Sequence, residues 1–112
     1  MFRTYETVVY CQQPQPVLEQ IMEEAVDWYL SLRPKAFPLE RQRSYVTLKV
    51  QQSYRSNGEL VTVLVGDRSF TIISKCLDES TQLLAWSKNR ENVVCLSACF
   101  KNQIDNWLCS AA

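Results

Sequence analysis

Two short turn sequences separate three stretches of alternating apolar residues in the middle of the chain. The first stretch covers residues 44–54, where Val46, Leu48 and Val50 alternate with polar residues. This period of two is typical of a half-buried strand. Asn57-Gly58 comes next, and both residues of this pair tolerate the positive φ angles of a type I′ hairpin turn. The sequence therefore predicts that the chain reverses here and pairs with itself.

The returning segment continues the same pattern. Leu60–Val65 is predicted as the partner strand, and a second turn at Gly66-Asp67-Arg68 leads to a third strand over Ser69–Ser74. Connections this short join antiparallel neighbours, because a parallel crossover needs a dozen residues or more. We expect an antiparallel meander of three strands.

The N-terminal third predicts one strand and one helix. Residues 4–11 alternate and are predicted as a strand, whereas residues 16–33 repeat their apolar residues with the 3.6-residue period of an amphipathic helix. Pro16 suits the first turn of this helix, since its missing N–H costs nothing there. Pro34 ends the helix, and Pro38 predicts that the following stretch is irregular.

The C-terminal third is divided at Asn92. A second helix is predicted at about residues 79–90, where Asp78 or Ser80 can act as the N-cap. The apolar run Val93–Phe100 is predicted as a last strand, and residues 102–109 as a terminal helical turn.

Together these elements predict a single α+β domain over residues 1–112. The element order is β-α-β-β-β-α-β, with a mainly antiparallel sheet and the helices packed on one face. The order of the strands within the sheet stays open.

Histidine is absent from the chain, and this absence limits its chemistry. Ser-His-Asp and Cys-His arrangements cannot form within it, and neither can a His-Glu-x-x-His zinc site. Gly58 and Gly66 are the only glycines, too few for the phosphate-binding loops GxGxxG and GxxxxGK[ST]. We therefore expect no metal, no cofactor and no catalytic residue, and the sequence favours a non-catalytic protein.

Charge and cysteine content predict a cytoplasmic protein that self-associates. Twelve basic side chains balance 12 acidic ones, so no overall field favours nucleic acid or membrane and little repulsion opposes a homodimer. The N-terminus has no basic region followed by an apolar run, and no apolar segment approaches the ~20 residues of a membrane span. Five cysteines, an odd number, favour reduced thiols.

Cysteines near the C-terminus are interpreted as core residues. Cys95 and Cys99 fall on the predicted last strand, where their Cα atoms would lie roughly 13 Å apart, too far for a disulfide. Core packing is the simpler interpretation for both. Cys109 is the thiol expected to be exposed and reactive.

A basic and aromatic segment between residues 33 and 55 is a candidate nucleic-acid surface. Cations can contact phosphates while tyrosines stack on bases. The candidate residues are Arg41, Arg43, Tyr45, Lys49 and Arg55. A solvated outer face of an antiparallel sheet has the same sequence pattern, so both interpretations stay open.

Two further segments have alternative interpretations. The acidic helix residues Glu19, Glu23, Glu24 and Asp27 suit a solvated surface, which could pair with the basic segment within the chain or across a dimer. The C-terminal residues Ile104, Trp107 and Leu108 either bind a partner, where tryptophan often acts as an anchor, or fold back over their own sheet.

Three hypotheses about function follow. The leading one is a non-catalytic interaction or regulatory domain that forms a homodimer or binds another protein, through a strand edge or the terminal tryptophan segment. The second is a nucleic-acid-binding module that uses the basic segment. The third is an enzyme that uses carboxylates or a cysteine without histidine.

Overall fold

A computed structural model describes residues 4–51, 58–77 and 82–111 of the chain. The described residues form five strands and two helices. In chain order the elements are β1 (Thr4–Tyr10), α1 (Gln15–Leu32), β2 (Ala36–Arg41), β3 (Tyr45–Val50), β4 (Glu59–Val65), β5 (Ser69–Cys76) and α2 (Gln82–Ala111).

All five described strands belong to one antiparallel sheet with the order β1-β5-β4-β3-β2. The predicted α+β class and the antiparallel meander, β3 to β5, are confirmed. Gly58 has a φ of 112°, which glycine adopts at little cost, whereas Asn57 lies outside the described residues. Arg68 takes a φ of 59° in the second turn.

The core lies between the sheet and the two helices, which pack on the same face as predicted. Alternate residues of each strand point inward, because successive side chains of a strand face opposite sides. The Phe70 and Phe100 rings lie 4.6 Å apart between their centroids and join β5 to α2. Other buried contributors are Leu18, Ile21, Met22, Ala25, Val26, Leu48, Val61, Val63, Ile72 and Leu96.

The prediction of a strand at Val93–Phe100 is wrong, because these residues form the middle of the 30-residue helix α2. A short apolar run fits a buried strand and a buried helix equally well. The spacing of Val93, Leu96 and Phe100 continues to Ile104 and Trp107 along one helical face. The described part of the predicted helix at 79–90, from Gln82 onward, and the predicted turn at 102–109 belong to this same helix. Asp78 and Ser80, the expected caps, lie outside the described residues.

The irregular stretch predicted around Pro38 is instead the strand β2. The backbone N–H of Gln51 donates to the carbonyl oxygen of Lys35 over 2.9 Å. Because ladder bonds alternate along an antiparallel pair, this bond turns the nitrogen of Pro38 away from β3. Proline is tolerated at that position of an edge strand, where no donor is needed.

Neither described helix combines the length and the apolarity that crossing a membrane requires.

Candidate interaction surface

β1 forms one edge of the described sheet, and its outward peptide groups can be identified from a single hydrogen bond. The N–H of Cys11 donates to the carbonyl oxygen of Arg68 over 3.0 Å, in the same register as the β1–β5 pairing. Bonds toward β5 therefore come from every second residue, such as Thr7 and Val9. The N–H and C=O groups of Glu6, Val8 and Tyr10 point away from β5, and we call this row the β1 edge.

The side chains of the β1 edge also lie on the helix-free face of the sheet. Val8 is 40% exposed and Tyr10 is 74% exposed. In the register of the sheet, Val8 lies beside Thr71, which lies beside Leu64. Leu64 is itself exposed, so a short apolar row runs from the β1 edge onto the open face.

The opposite edge of the described sheet is less suited to pairing. Pro38 removes one outward donor from β2, and the pairing with β3 shifts register between Pro38 and Glu40. Prolines and bulges are common devices that keep an edge strand from pairing with another chain. β1 has neither, since its register with β5 runs unbroken over seven residue pairs.

The five candidate nucleic-acid residues do not form one described patch. Tyr45 and Lys49 lie on the helix-free face of β3, with Lys49 opposite Leu60 and Phe37. The Tyr45 hydroxyl donates to Glu40 Oε1 over 2.6 Å, and this hydrogen bond raises the pKa of Tyr45. Arg41 and Arg43 lie away from that face, and Arg55 is outside the described residues.

The basic and acidic segments meet within the chain, as one interpretation of the sequence expected. Arg41 Nη2 donates to Asp27 Oδ1 at 2.6 Å, joining the end of β2 to α1. Arg43 lies in the connection between β2 and β3, next to the N-terminal half of α1. Arg55 lies outside the described residues.

The C-terminal candidates Ile104, Trp107 and Leu108 all belong to α2, but they differ in how far they are buried. Ile104 and Trp107 are half-buried and pack against the core. The indole Nε1 of Trp107 donates to Glu24 Oε2 on α1 over 3.3 Å. Leu108 is 54% exposed. Trp107 thus folds back on its own chain, and Leu108 is the member of the set that a partner can reach.

A buried polar network that the sequence interpretation missed joins α2 to β4 and β5. Asn92 Nδ2 donates to Glu59 Oε1 over 2.8 Å and to Ser74 Oγ over 3.2 Å. Ser74 Oγ donates to Asn89 Oδ1 over 2.7 Å. These four residues are at most 1% exposed. Buried polar groups of this kind need such partners, and a satisfied network rigidifies the core.

The sequence did contain an indication of this network. Glu59 shares the strand face of Val61 and Val63, while Asn89 and Asn92 share the helical stripe of Leu96. Polar residues at core positions of regular patterns indicate a buried network, provided that the helix is recognised.

Next to this network lies a cluster of thiols and one buried phenol. Cys95 and Cys99 are one helical turn apart on α2, not on a strand as predicted, so their Cβ atoms lie roughly 5–6 Å apart. Cys99 is buried, as expected, and Cys95 is half-buried. Burial, with a contribution from Cys95, raises the pKa of Cys99 to about 11. The Tyr29 hydroxyl is buried and has no hydrogen-bond partner among the described residues.

Among the described residues, no group of three or more Cys, Asp or Glu side chains could hold a metal ion. Comparison with known proteins gives no family model and no curated sequence that matches this chain.

Proposed function

We propose that this domain is a non-catalytic interaction module, and that its partner is a second copy of itself paired along the β1 edge. The observation that carries the proposal is the row of outward peptide groups at Glu6, Val8 and Tyr10. A row of this kind, which no described strand pairs with, is a template for another strand. The same three side chains are exposed on the helix-free face, so a second strand can approach without displacing core residues.

Charge selects the register of the proposed pairing. An antiparallel pair with its two-fold axis at Val8 places the two Val8 residues opposite each other. It also places Glu6 opposite Tyr10 of the second copy, where a carboxylate can accept a hydrogen bond from a phenol. A two-fold axis at Glu6 would instead oppose two carboxylates, and like charges directly opposite each other are destabilising.

We also propose that the protein is cytoplasmic, and several features of the chain support this location and a non-catalytic function. Histidine, the commonest general base near neutral pH, is absent from the sequence. All five cysteines are free thiols in the structure, which suits the reducing environment of the cytoplasm. The balance of 12 basic and 12 acidic residues lowers the electrostatic cost of bringing two copies together.

The proposal is tested by sedimentation velocity over protein concentrations from roughly 1 to 500 μM, a range that covers weak and transient complexes. We expect a monomer–dimer equilibrium in this range. Val8→Pro removes one outward N–H and no bond to β5, so it should shift the equilibrium to the monomer. Val8→Thr keeps the N–H and the β-branched shape and serves as the matched control. A wild-type monomer at every concentration, or equal dimerisation of both variants, would contradict the proposal.

Nucleic-acid binding has less support, because Arg41 pairs with Asp27 and faces away from Tyr45 and Lys49. A labelled single-stranded oligonucleotide added at low salt distinguishes the two functions. Binding that weakens steeply with salt and with Lys49→Ala, in a protein that stays monomeric, would favour the nucleic-acid function instead.

A further inference from the structure

A cleft of about 470 Å³ separates the N-terminal half of α1 from the connection between β2 and β3. Met22 and Val46, both buried, contribute its apolar lining. Its volume lies within the range of small-molecule sites, which combine an apolar lining with a few polar groups. Beside the cleft, the ion pair between Arg41, the last residue of β2, and Asp27, in the C-terminal half of α1, joins the two elements. This cleft is on the helix side of the sheet and involves no residue of the β1 edge.

Charges of opposite sign line the two walls of this cleft. Glu19 and Glu23 are on the α1 wall, and Arg43 is on the opposite wall. None of these three takes part in an ion pair within the part of the chain that the structure describes. Arg41 also lines the cleft, but Asp27 already neutralises it.

We propose that the cleft binds a small zwitterion of the amino-acid or short-peptide class. The ammonium group faces Glu19 and Glu23, and the carboxylate faces Arg43. A ligand with a single charge gains at one wall and is repelled at the other, whereas a zwitterion forms charge-assisted hydrogen bonds at both. The amides of Gln20 and Gln42 also line the cleft. Their nitrogens donate to Glu24 and Glu40 within the chain, and their oxygens can accept hydrogen bonds from the peptide groups of such a ligand.

The length of the ligand and the need for both charges are tested together. Alanine, Ala-Ala and Ala-Ala-Ala are titrated to about 20 mM into isotope-labelled protein, a range suited to weak binding. Backbone amide shifts are followed by NMR. The N-acetylated and the C-amidated forms of the best binder each lack one charge, and each should bind roughly three- to tenfold more weakly. The three lengths distinguish a free amino acid from a peptide.

Variants of the cleft residues show which side chains face the two charged groups of the ligand. Arg43→Gln should weaken binding of the zwitterion but not of its amidated form, and Glu23→Gln should weaken binding of the zwitterion but not of its acetylated form. Lys101→Gln and Asp105→Asn change exposed charges on α2, away from the cleft, and should leave binding unchanged. The proposal is overturned if no probe shifts the amides around the cleft, or if the singly charged forms bind as well as the zwitterion. Either outcome leaves the pairing at the β1 edge unaffected.

Discussion

Cys11 donates its backbone N–H to the carbonyl oxygen of Arg68, 3.0 Å away, at the point where β1 ends. This bond fixes the alternation of the whole strand, because the direction of successive peptide groups reverses from one residue to the next. Val9 and Thr7 bond to β5, and Val8 turns its peptide groups to the free side. The proposed pairing of two copies depends on this alternation.

Substitutions at Tyr10 should reveal the register of the dimer. With the two-fold axis at Val8, Tyr10→Lys places a cation opposite Glu6 of the second copy, and we expect tighter association. Tyr10→Glu opposes two carboxylates and should weaken association. Cross-strand charge pairs contribute roughly 0.2–1 kcal/mol each, and the dimer contains two. Sedimentation equilibrium gives the constants, and equal affinities for both variants would rule out this register.

Removing one side chain from the buried polar network should destabilise the fold strongly. Asn92→Ala takes away the Asn92 donor to Glu59 Oε1 and its contact with Ser74 Oγ, in a place that water does not reach. We expect the free energy of unfolding to fall by about 2–4 kcal/mol in urea titrations. Asn102→Ala, at an exposed position of the same helix, should change it by less than about 0.5 kcal/mol. A similar small loss for both variants would show that the network contributes little.

Within the part of the chain that the structure describes, the buried Tyr29 hydroxyl has no hydrogen-bond partner, and this predicts an unusual result for Tyr29→Phe. Removing a buried hydroxyl that has no hydrogen-bond partner relieves a desolvation cost, so the variant should be as stable as wild type or up to about 1 kcal/mol more stable. A loss of more than about 1 kcal/mol at neutral pH would mean that the hydroxyl has a partner in solution.

The same variant tests how the free energy of unfolding depends on pH under alkaline conditions. Burial raises the pKa of Tyr29 far above its ordinary value. Above about pH 10 the unfolded chain therefore loses the phenol proton while the folded chain keeps it, and the free energy of unfolding falls as the pH rises. Tyr29→Phe should make this fall less steep in urea titrations at successive pH values. An unchanged slope would show that Tyr29 does not stay protonated in the folded state.

The thiols should differ widely in reactivity. Cys109 is exposed near the end of α2, whereas Cys99 is buried and its pKa is raised to about 11. Since the thiolate is the reactive form, pulse labelling with iodoacetamide at pH 8 should modify Cys109 more than about tenfold faster than Cys99. Mass spectrometry of the digested protein measures both rates. Comparable rates would indicate that α2 separates from α1 in the native protein.

Sequence periodicity predicts those strands that pair with their neighbours in the sequence through short turns. In β3, β4 and β5, residues alternate between a buried face and a more accessible face, and the sequence has Asn57-Gly58 and Gly66 between these strands. The element at Pro38 was missed for a nonlocal reason. Proline excludes a central strand but not an edge strand, and only the strand order shows that β2 is an edge.

The helix around Cys95 was predicted as a strand because the apolar composition of Val93–Phe100 was given more weight than the longer helical repeat of apolar residues. Val93, Val94 and Leu96 resemble a buried strand when the window ends at Phe100. Extending the window to Trp107 reveals the helical stripe, since no glycine or proline interrupts the chain between residues 82 and 111.

The candidate surface was only partly predictable. Alternation places Glu6, Val8 and Tyr10 on one side of a strand, but whether that strand has a free edge depends on the pairing of the whole sheet. The cleft beside Arg43 arises from packing between elements that are distant in sequence, which composition does not indicate.

Hydrogen exchange at single β1 amides, measured by NMR at high and low protein concentration, distinguishes a β1 edge that pairs with a second copy from one that stays open to solvent. If two copies pair along the β1 edge, the amides of Glu6, Val8 and Tyr10 are protected at high concentration and exchange rapidly on dilution. Those of Thr7 and Val9, bonded to β5, should stay protected throughout. Fast exchange at Glu6, Val8 and Tyr10 at every concentration would contradict this pairing.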